Sequence, residues 1–316
     1  MSPSRLGIGL AALARPAYIT SGRGRDLGDG RGVADLRRRT WAVLDAAVAG
    51  GVRYVDAARS YGCAEEFLAG WLDAHPDADV TVGSKWGYRY VGDWRLDADR
   101  HEVKDHSLEA YRSQSAETLR LLGDRLSVYH VHSATPGTGV LDDTALHREL
   151  GALRERGVAV GVSVSGPSQA GSVRRAAEVE VDGRPLFTSF QATWNVLEPS
   201  VGPALAEVAA AGARVVVKEA VANGRLAPGG ERSDAADRLD ALAASLGTGR
   251  DALAIAVALA QPWASVVLSG AVTPEQVRSN LAATRVELPT DVTDALAGLA
   301  EEPDEYWDAR SRRPWS

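Results

Sequence analysis

Residues 52–86 read VRYVDAARSYGCAEEFLAGWLDAHPDADVTVGSKW, and this stretch sets the pattern for the chain. It predicts a strand ending at Asp56, a loop with Tyr61, a helix, and a second strand ending at Lys85. Parallel strands joined by one helix are usually neighbours in a sheet, so we expect the carboxylate, the phenol and the ammonium to meet at one edge. The sequence therefore predicts an acid–base site at this edge.

These three residue types can work together in proton transfer. A free phenol has a pKa near ~10, and a nearby ammonium lowers that pKa by stabilising phenolate. A carboxylate behind the ammonium keeps it charged and oriented. We therefore predict Tyr61 as the acid, Lys85 as the group that lowers its pKa, and Asp56 as the anchor. A salt bridge beside a packed tyrosine is the structural alternative.

Strand and helix patterns alternate along the chain. Apolar runs typical of strands lie at 6–10, 52–56, 80–85, 126–132, 158–163, 187–194, 214–218 and 265–269. Segments with helical period lie at 34–49, 64–75, 107–122, 144–156, 168–178, 202–211, 251–260 and 274–283. Such alternation predicts a parallel sheet, and eight units of this kind close into a (β/α)8 TIM barrel. No shift in composition marks a boundary, so residues 1–316 are predicted to form a single domain.

Long connections follow strands 1, 3 and 7, at residues 11–32, 87–106 and 220–250. All three leave the carboxyl ends of their strands, where barrel active sites are built. The first contains GRGRDLGDGRG, which lacks the tight G-x-G-x-x-G placement between a strand and a helix that a Rossmann fold uses. The three connections are therefore predicted to be long rim loops that wall a pocket.

Aromatic side chains lie near the predicted rim. Trp86, Tyr88 and Trp94 follow the third strand, and Trp194 ends the sixth. Aromatic side chains often line small-molecule pockets, although they also pack without any role in binding. We predict that these four residues line a substrate pocket, with simple packing as the alternative.

Composition narrows the class of partner. The 316 residues carry a net charge of −7, so no general basic surface is expected, which argues against nucleic acid or an anionic membrane as the main partner. No apolar run approaches the ~18 residues of a membrane helix, and the first residues lack a signal pattern. Cys63 is the only cysteine, which favours a reducing cytoplasm. A small molecule is the expected partner.

Lysine is rare in this chain. Lys85, Lys104 and Lys218 are the only lysines among 35 basic residues, so arginine serves as the general cation. Arginine cannot act as an easily tuned amine, which makes each lysine a candidate for a specific role. A compositional bias that spares three positions is the alternative.

The fourth strand contains two histidines in LSVYHVHSA. With a period of two, His130 and His132 face the same way, and His132 lies at the carboxyl end beside Lys85. A neutral imidazole there could donate a hydrogen bond to a carbonyl oxygen that Tyr61 protonates. We predict His130 to be a core residue bonded to a group such as Tyr54. No further histidine or cysteine ends the next two strands, so no metal site is predicted.

Three motifs resemble those of the aldo-keto reductase family: VDAARSYG with Asp56 and Tyr61, GSKWG with Lys85, and VYHVHS with His132. Their order and context are similar to the family's Asp, Tyr, Lys and His tetrad, and the resemblance covers most of the chain. It implies a carbonyl reductase or alcohol dehydrogenase acting on an aldehyde or ketone. It also implies that NADP(H) binds in extended form across the barrel mouth.

The resemblance further implies cofactor-binding residues. Ser163 matches the family serine beside the nicotinamide amide, and Gln191 matches the glutamine that ends the sixth strand. The segment LSGAVTPEQVRSN is similar to the one that holds the adenosine phosphate, with Ser269, Gly270, Gln276 and Asn280 in the expected places. The basic residues that some members use against the 2′-phosphate are absent at Gly270 and Gln276. Arg225 or Arg278 is expected to supply that charge, and NADP(H) is predicted ahead of NAD(H).

Lys218 departs from the family pattern. Members often have an aromatic residue at its position, stacked on the nicotinamide ring. We expect Lys218 to face Glu219 or a phosphate and to help bind the cofactor. Two other classes of protein stay open: a lysine-dependent barrel lyase that uses Lys218 or Lys85 as a Schiff base, and a non-catalytic barrel that senses a nucleotide.

Overall fold

The structure is a computed structural model and describes residues 1–315. Numbered in chain order, its strands are β1 (Leu6–Gly9), β2 (Tyr54–Asp56), β3 (Thr81–Trp86), β4 (Tyr88–Tyr90), β5 (Glu102–Lys104), β6 (Leu126–Ala134), β7 (Ala159–Val164), β8 (Glu180–Val181), β9 (Arg184–Pro185), β10 (Ser189–Thr193), β11 (Arg214–Lys218) and β12 (Val266–Ser269). Its α-helices are α1 (Arg23–Leu27), α2 (Val33–Ala49), α3 (Ala64–Ala74), α4 (Leu108–Leu122), α5 (Thr144–Glu155), α6 (Gln169–Ala177), α7 (Gly202–Ala210), α8 (Asp234–Ser245), α9 (Arg250–Ala260), α10 (Pro274–Ala282), α11 (Thr290–Ala297) and α12 (Pro303–Ser311).

Parallel strands close into a barrel in the order β1, β12, β11, β10, β7, β6, β3 and β2. The closure lies at β1, where Gly7 is in register with Tyr54 on one side and with Leu268 on the other. At least one helix follows each barrel strand, and the last strand, β12, is followed by α10. The predicted (β/α)8 barrel is confirmed.

Strand sequences explain how the barrel is filled. β11 reads RVVVK, and its three valines are all fully buried. Val216 packs inside the barrel with Tyr54, Val266 and Leu268, whereas its neighbours Val215 and Val217 belong to the core beneath the helices. Alternate side chains of a strand point to opposite faces, so a strand buried on both faces needs a continuous apolar run.

Helix starts follow from capping residues. The Ser107 hydroxyl accepts a hydrogen bond from Ala110 N at 3.1 Å and begins α4. Thr273 accepts from Gln276 N at 3.2 Å and begins α10, with Pro274 at its first position. Side chains that accept from the first free N–H groups of a helix are the usual N-caps, and proline suits the first helical position because it lacks an N–H.

The long rim connections contain elements that the apolar pattern did not predict. The first includes α1, the second holds the antiparallel pair β4 and β5, and the third includes α8. Beyond the barrel, α11 and α12 form the end of the described chain. Several of these elements are short, and short segments give little pattern by which to predict them.

Among the described residues, no single helix is long and apolar enough to cross a membrane. Taken together, α8 and α9 are long and apolar enough, but an 85° bend separates the two helices. Within residues 1–315, no group of three or more histidine, cysteine or acidic side chains is arranged to hold a metal ion.

Candidate active site

An ion pair between neighbouring strands forms the centre of the site. Lys85 Nζ lies 2.5 Å from Asp56 Oδ2 and donates to Ala57 O at 2.9 Å. Gln191 on β10 donates its amide to the other carboxylate oxygen of Asp56 at 2.9 Å. Both charged side chains are almost completely buried. Removal of either partner would therefore leave an uncompensated charge in the core.

Tyr61 and His132 complete the cluster. Tyr61 lies in the loop after β2, and His132 lies near the carboxyl end of β6. The phenol oxygen is 3.4 Å from His132 Nε2, and Lys85 Nζ is 4.7 Å from the centre of the Tyr61 ring. The structure thus brings together the four residues that the motifs predicted, Asp56 included.

The pKa of the Tyr61 phenol is shifted upward, not downward. Burial raises it well above its ordinary value, and the negative charge of Asp56 raises it further, while Arg15 opposes the change. The expectation that Lys85 would produce a lowered pKa is therefore corrected, because loss of water around the phenol outweighs the local cations. Tyr61 stays protonated at neutral pH and can act as a proton donor.

His132 is held neutral. Burial lowers its pKa well below the ordinary value for histidine, and the positive charge of Lys85 adds to the effect. A neutral imidazole carries one N–H and can donate a hydrogen bond without carrying charge. This state agrees with the role expected for His132 as a donor to a carbonyl oxygen.

The lower histidine of β6 is a core residue with a different partner from the one expected. His130 is fully buried, and its Nε2 lies 3.0 Å from Ser189 Oγ instead of bonding to Tyr54. His130, Gly161 and Ser189 lie at one level across β6, β7 and β10. A Cβ at Gly161 would come within 2.4 Å of the imidazole, so glycine leaves the space through which His130 reaches β10.

A cavity of about 310 Å³ opens at the carboxyl rim beside this cluster. Leu268, from the apolar group inside the barrel, contributes to its lining. Polar and charged side chains from several rim loops also line it: Arg15, Tyr18, Tyr88, Glu102, Ser165, Lys218, Glu219, Asn223 and Arg310. A concave site with a few convergent polar groups is typical of small-molecule binding.

The end of the chain forms one side of this cavity. The Trp315 ring stacks on His101 with 4.4 Å between ring centres, and Arg310 forms a two-pronged ion pair with Glu219. Both Trp315 and Arg310 line the cavity. The sequence showed aromatic and basic residues near the carboxyl terminus but no signal that they return to the rim.

Half of the predicted cofactor residues line the cavity. Gln191, Lys218, Ser269 and Gly270 do so, whereas Ser163, Arg225, Gln276 and Asn280 do not. Asn280 instead accepts from Ser269 Oγ at 2.6 Å and donates to Asp251 at 2.7 Å. Asn280 therefore links the end of β12 to α9 and α10.

Ser165 stands at the cavity where Ser163 was expected. Ser163 is fully buried, and its hydroxyl accepts from Ser133 N at 2.9 Å. Ser165 lines the cavity two residues further on. Residues two apart on a strand face the same side, so the GVSVSG motif contains the signal for both serines, but the position of the rim decides which one is accessible.

The arginines expected at a 2′-phosphate already have acidic partners. Arg225 forms a two-pronged ion pair with Glu301, in which one nitrogen–oxygen distance is 2.8 Å. Arg278 is exposed and pairs with Glu275 at 2.6 Å, one turn away on α10. Gln276 donates to Asp26 on α1 at 2.7 Å.

Lys218 lies in the cavity wall and bonds to a neighbouring strand. Its ammonium donates to Thr193 Oγ1 at 2.6 Å and lies 3.8 Å from Glu219. Burial lowers the pKa of Lys218 to about 8, although Glu219 opposes this. Burial acts to raise the pKa of Glu219, but Arg310 and Lys218 outweigh it and bring that pKa to about 2.

Three of the four aromatic residues predicted for the substrate pocket lie outside this cavity, and only Tyr88 lines it. Trp86 is fully buried and packs edge-on against Tyr111 of α4. Trp194 packs against Trp263, and Trp94 donates its indole N–H to Arg31 O at 2.8 Å. The prediction is corrected for the three tryptophans, because each points into packing between loops or helices.

The cavity fits an extended polar ligand such as a nicotinamide dinucleotide. Ser165 lines the cavity, and a Cβ at Gly270 would meet no atom within 4 Å. Lys218 and Arg310 add cations to the lining, and both already face Glu219. Polar groups and open space thus run along the rim from β7 to β12.

Comparison with solved structures shows the same fold. An aldo-keto reductase from Bacillus halodurans, determined in its holo form, superposes with a TM-score of 0.68 at 21% identity, covering 94% of this chain and 92% of that chain. The glycerol dehydrogenase from Gluconobacter oxydans superposes with a TM-score of 0.68 at 22% identity, covering 93% and 90%. No significant match to a curated protein sequence was found.

The family model that matches this closed barrel identifies it as a (β/α)8-barrel oxidoreductase. The chain belongs to the aldo/keto reductase family, whose family model matches residues 29–301. Membership implies oxidation and reduction of carbonyl compounds with a nicotinamide cofactor, and small-molecule carbonyl substrates.

Proposed function

We propose that this protein reduces an aldehyde or ketone to an alcohol by NADP(H)-dependent hydride transfer, with Tyr61 as the general acid. The observation that supports this proposal best is the buried Lys85–Asp56 pair beneath the ring of Tyr61, next to a neutral His132 and facing a cavity. Such a cluster places a proton donor where a carbonyl oxygen gains negative charge.

Each residue has a distinct part in this proposal. When bound, a reduced nicotinamide supplies the hydride. The phenol of Tyr61 gives its proton to the carbonyl oxygen, and the N–H of His132 orients that oxygen by a hydrogen bond. Lys85 stabilises the phenolate left on Tyr61, and Asp56 holds Lys85 in place through their ion pair.

Around the cofactor, we assign Gln191, Lys218, Ser269 and Gly270 to direct contacts, since all four line the cavity. Ser165 is added to this set. Ser163, Gln276 and Asn280 are assigned supporting positions, because each is engaged by other parts of the protein.

Two observations favour NAD(H) as the alternative cofactor. Arg225 and Arg278 would have to leave Glu301 and Glu275 to bind a 2′-phosphate. Asp26, bonded to Gln276, adds a carboxylate that would repel a phosphate and could accept from a free ribose hydroxyl. NADP(H) remains the proposed cofactor on the family resemblance, and the measured ratio of affinities decides between the two.

The direct test measures binding and turnover separately. Quenching of NADPH and NADH fluorescence by the purified protein gives both dissociation constants, and consumption of each cofactor is then followed with a panel of aldehydes, ketones and sugars. Glyceraldehyde and dihydroxyacetone belong in the panel because one structural neighbour is a glycerol dehydrogenase. Cofactor consumption that requires a carbonyl compound supports the proposal, whereas binding without turnover with any compound supports a nucleotide sensor.

A second candidate function rests on Lys218. A partly buried amine in a cavity with a pKa of about 8 can form a Schiff base more readily than an ordinary lysine. Lys85 suits that role less well, because its ammonium is held by Asp56 and Ala57 O. Borohydride in the presence of a carbonyl compound would add mass to the peptide with Lys218 if the protein is a lyase, and Lys218→Met would abolish that addition.

Two further parts of the proposal come from the sequence. We assign the protein to the cytoplasm because of its single cysteine, and we treat residues 1–316 as a single domain. Cell fractionation and limited proteolysis test these assignments.

A further inference from the structure

A buried arginine lies beside the cluster and has no part in the mechanism above. Arg15 follows β1, is 1% exposed and lines the cavity. The central carbon of its guanidinium lies 4.7 Å from the centre of the Tyr18 ring and 4.9 Å from the centres of the Tyr61 and Trp315 rings. A cation near an aromatic face is attracted to it, most strongly where water is excluded.

Three oxygen atoms fix the orientation of this guanidinium. Nε donates to Ala11 O at 3.0 Å, and Nη1 donates to Ser60 O at 3.2 Å and to Glu102 Oε1 at 2.7 Å. Ser60 directly precedes Tyr61, and Glu102 belongs to β5. Arg15 therefore joins three segments of the rim at the phenol.

Backbone contacts also join the loop after β1, which carries Arg15, to the loop after β2, which carries Tyr61. Cys63 N donates to Ala14 O at 2.9 Å. Gly62 has a φ of +61°, and a Cβ on it would come within 2.4 Å of Ala14 O and 2.9 Å of Arg15 Cβ. The loop that carries Arg15 and the loop that carries Tyr61 are therefore in direct backbone contact.

Tyr61 is faced by charged and titratable groups from each element packed against it. They are Arg15 and Tyr18 after β1, Asp56 on β2, Lys85 on β3, Glu102 on β5, His132 on β6 and Glu219 after β11. Burial and Asp56 raise the pKa of Tyr61, with Glu102 and Glu219 acting the same way, whereas Arg15 lowers it. A phenolate on Tyr61 is therefore opposed by three carboxylates, and Arg15 favours it together with the nearby ammonium of Lys85.

We propose that Arg15 is a positioning residue for Tyr61: it holds the phenol against the cavity and stabilises the negative charge left on the phenol oxygen. The inference rests on the proposed function, in which Tyr61 is the acid. In that step the phenol O–H bond breaks as an O–H bond forms on the substrate, and the electron pair stays on Tyr61. A fixed cation near the ring lowers the energy of this anion.

The test follows the titration of Tyr61 directly. Tyrosine is replaced throughout by 3,5-difluorotyrosine, whose phenol is a stronger acid, and the Tyr61 signal in the ¹⁹F NMR spectrum is identified by its loss in Tyr61→Phe. Arg15→Met is expected to raise the pKa of this phenol by about one unit, a tenfold loss of acid strength. The unlabelled variant is expected to lose kcat for carbonyl reduction by about tenfold, with the high-pH limb of its profile moved upward.

Two other variants separate charge from packing. Arg15→Lys keeps a cation and is expected to restore at least half of the pKa shift. Glu102→Gln removes a negative charge that faces Tyr61, so its pKa is expected to fall. The matched control is Arg174→Met, which removes an exposed arginine paired with Glu207 and is expected to change neither the titration nor kcat.

The outcomes distinguish this inference from the proposed function. An unchanged Tyr61 titration in folded Arg15→Met overturns the inference, even if the wild-type protein reduces carbonyl compounds. Equal shifts of the same sign in Arg15→Met and Glu102→Gln also overturn it, because they indicate a loss of packing without an effect of charge. A shift in the expected direction supports the role of Arg15 even if no carbonyl compound is reduced, in which case the proposed function alone fails.

Discussion

Among single residues, Tyr61 matters most for the proposed chemistry, because its phenol oxygen carries the transferred proton. Tyr61→Phe removes the proton donor but keeps the ring between Arg15 and Lys85. We expect kcat to fall by roughly 10²- to 10⁴-fold, the usual range for general acid catalysis, with nearly unchanged cofactor affinity. Steady-state kinetics and fluorescence titration measure the two effects. Turnover close to that of the wild type would remove Tyr61 from its proposed role.

Lys218 has an expected effect on stability that depends on pH. Its pKa is lowered from the ordinary 10.5 to about 8 by burial. Between these values the unfolded chain binds more protons than the folded chain, so the contribution of Lys218 to the free energy of unfolding rises with pH across this window. Below the window the full penalty for the buried charge is present, and its size is on the order of 3 kcal/mol.

Urea unfolding of the wild type and Lys218→Met tests this expectation. Near neutral pH, Lys218→Met should raise the free energy of unfolding because it removes a charge that is costly to desolvate. Loss of the hydrogen bond to Thr193 should offset part of this gain. Toward pH ~10 the free energy of unfolding of the wild type should rise relative to that of Lys218→Met, because the ammonium loses its charge. A difference that does not change with pH would mean that the ammonium is not desolvated.

Among the structural elements, the loop after β2 determines where Tyr61 lies. Gly62 combines a positive φ with a close approach to Ala14 O, so Gly62→Ala should both strain the backbone and push two rim loops apart. We expect a loss in the free energy of unfolding of at least ~2 kcal/mol together with a reduced kcat. Chemical denaturation and steady-state kinetics measure the two effects.

Gly139 provides a matched control for this prediction. It also has a positive φ, of +67°, with a ψ of −4° that lies in the left-handed region, but a Cβ there would meet nothing within 4 Å. Gly139→Ala should therefore show only the backbone cost of about 1 kcal/mol and no change in kcat. If both substitutions lower the free energy of unfolding equally, the contact between the Tyr61 loop and Ala14 does not contribute to stability.

For the molecule as a whole, the ion pair between Arg310 and Glu219 ties the end of the chain to the barrel rim. Glu219 is buried and its pKa is held at about 2, mainly because Arg310 and Lys218 outweigh burial. Arg310→Ala should cost about 3 kcal/mol, since it leaves the carboxylate without its main partner. This stabilisation is present above the ordinary pKa of 4.5 and is lost as pH falls toward 2, so the cost should shrink in acid.

Thermal and urea unfolding of Arg310→Ala over a range of pH measure this cost. Arg312→Ala is the matched control, because Arg312 pairs with Asp308 on the exposed side of the same segment. Its effect should be less than ~1 kcal/mol. A similar small effect for both variants would show that the carboxyl-terminal segment is not fastened by Glu219.

The repeating barrel unit and the four residues of the cluster could both be predicted from the amino-acid sequence. Strand and helix periods are local properties, so eight alternating units could be predicted without knowledge of their contacts. Asp56, Tyr61, Lys85 and His132 all lie at or near the carboxyl ends of strands that are neighbours in the barrel. A correct prediction of topology was therefore enough to place them together.

The contacts between rim residues, and the effects of their charges on one another, depend on the folded structure. Arg225 pairs with Glu301 across 76 positions of sequence, and Trp315 stacks on His101, contacts that no local period records. The direction of the Tyr61 pKa shift depends on how completely water is excluded, and this depends on loops that come from distant parts of the chain. Long-range packing, and the dielectric environment it creates, cannot be derived from the spacing of residues along the sequence.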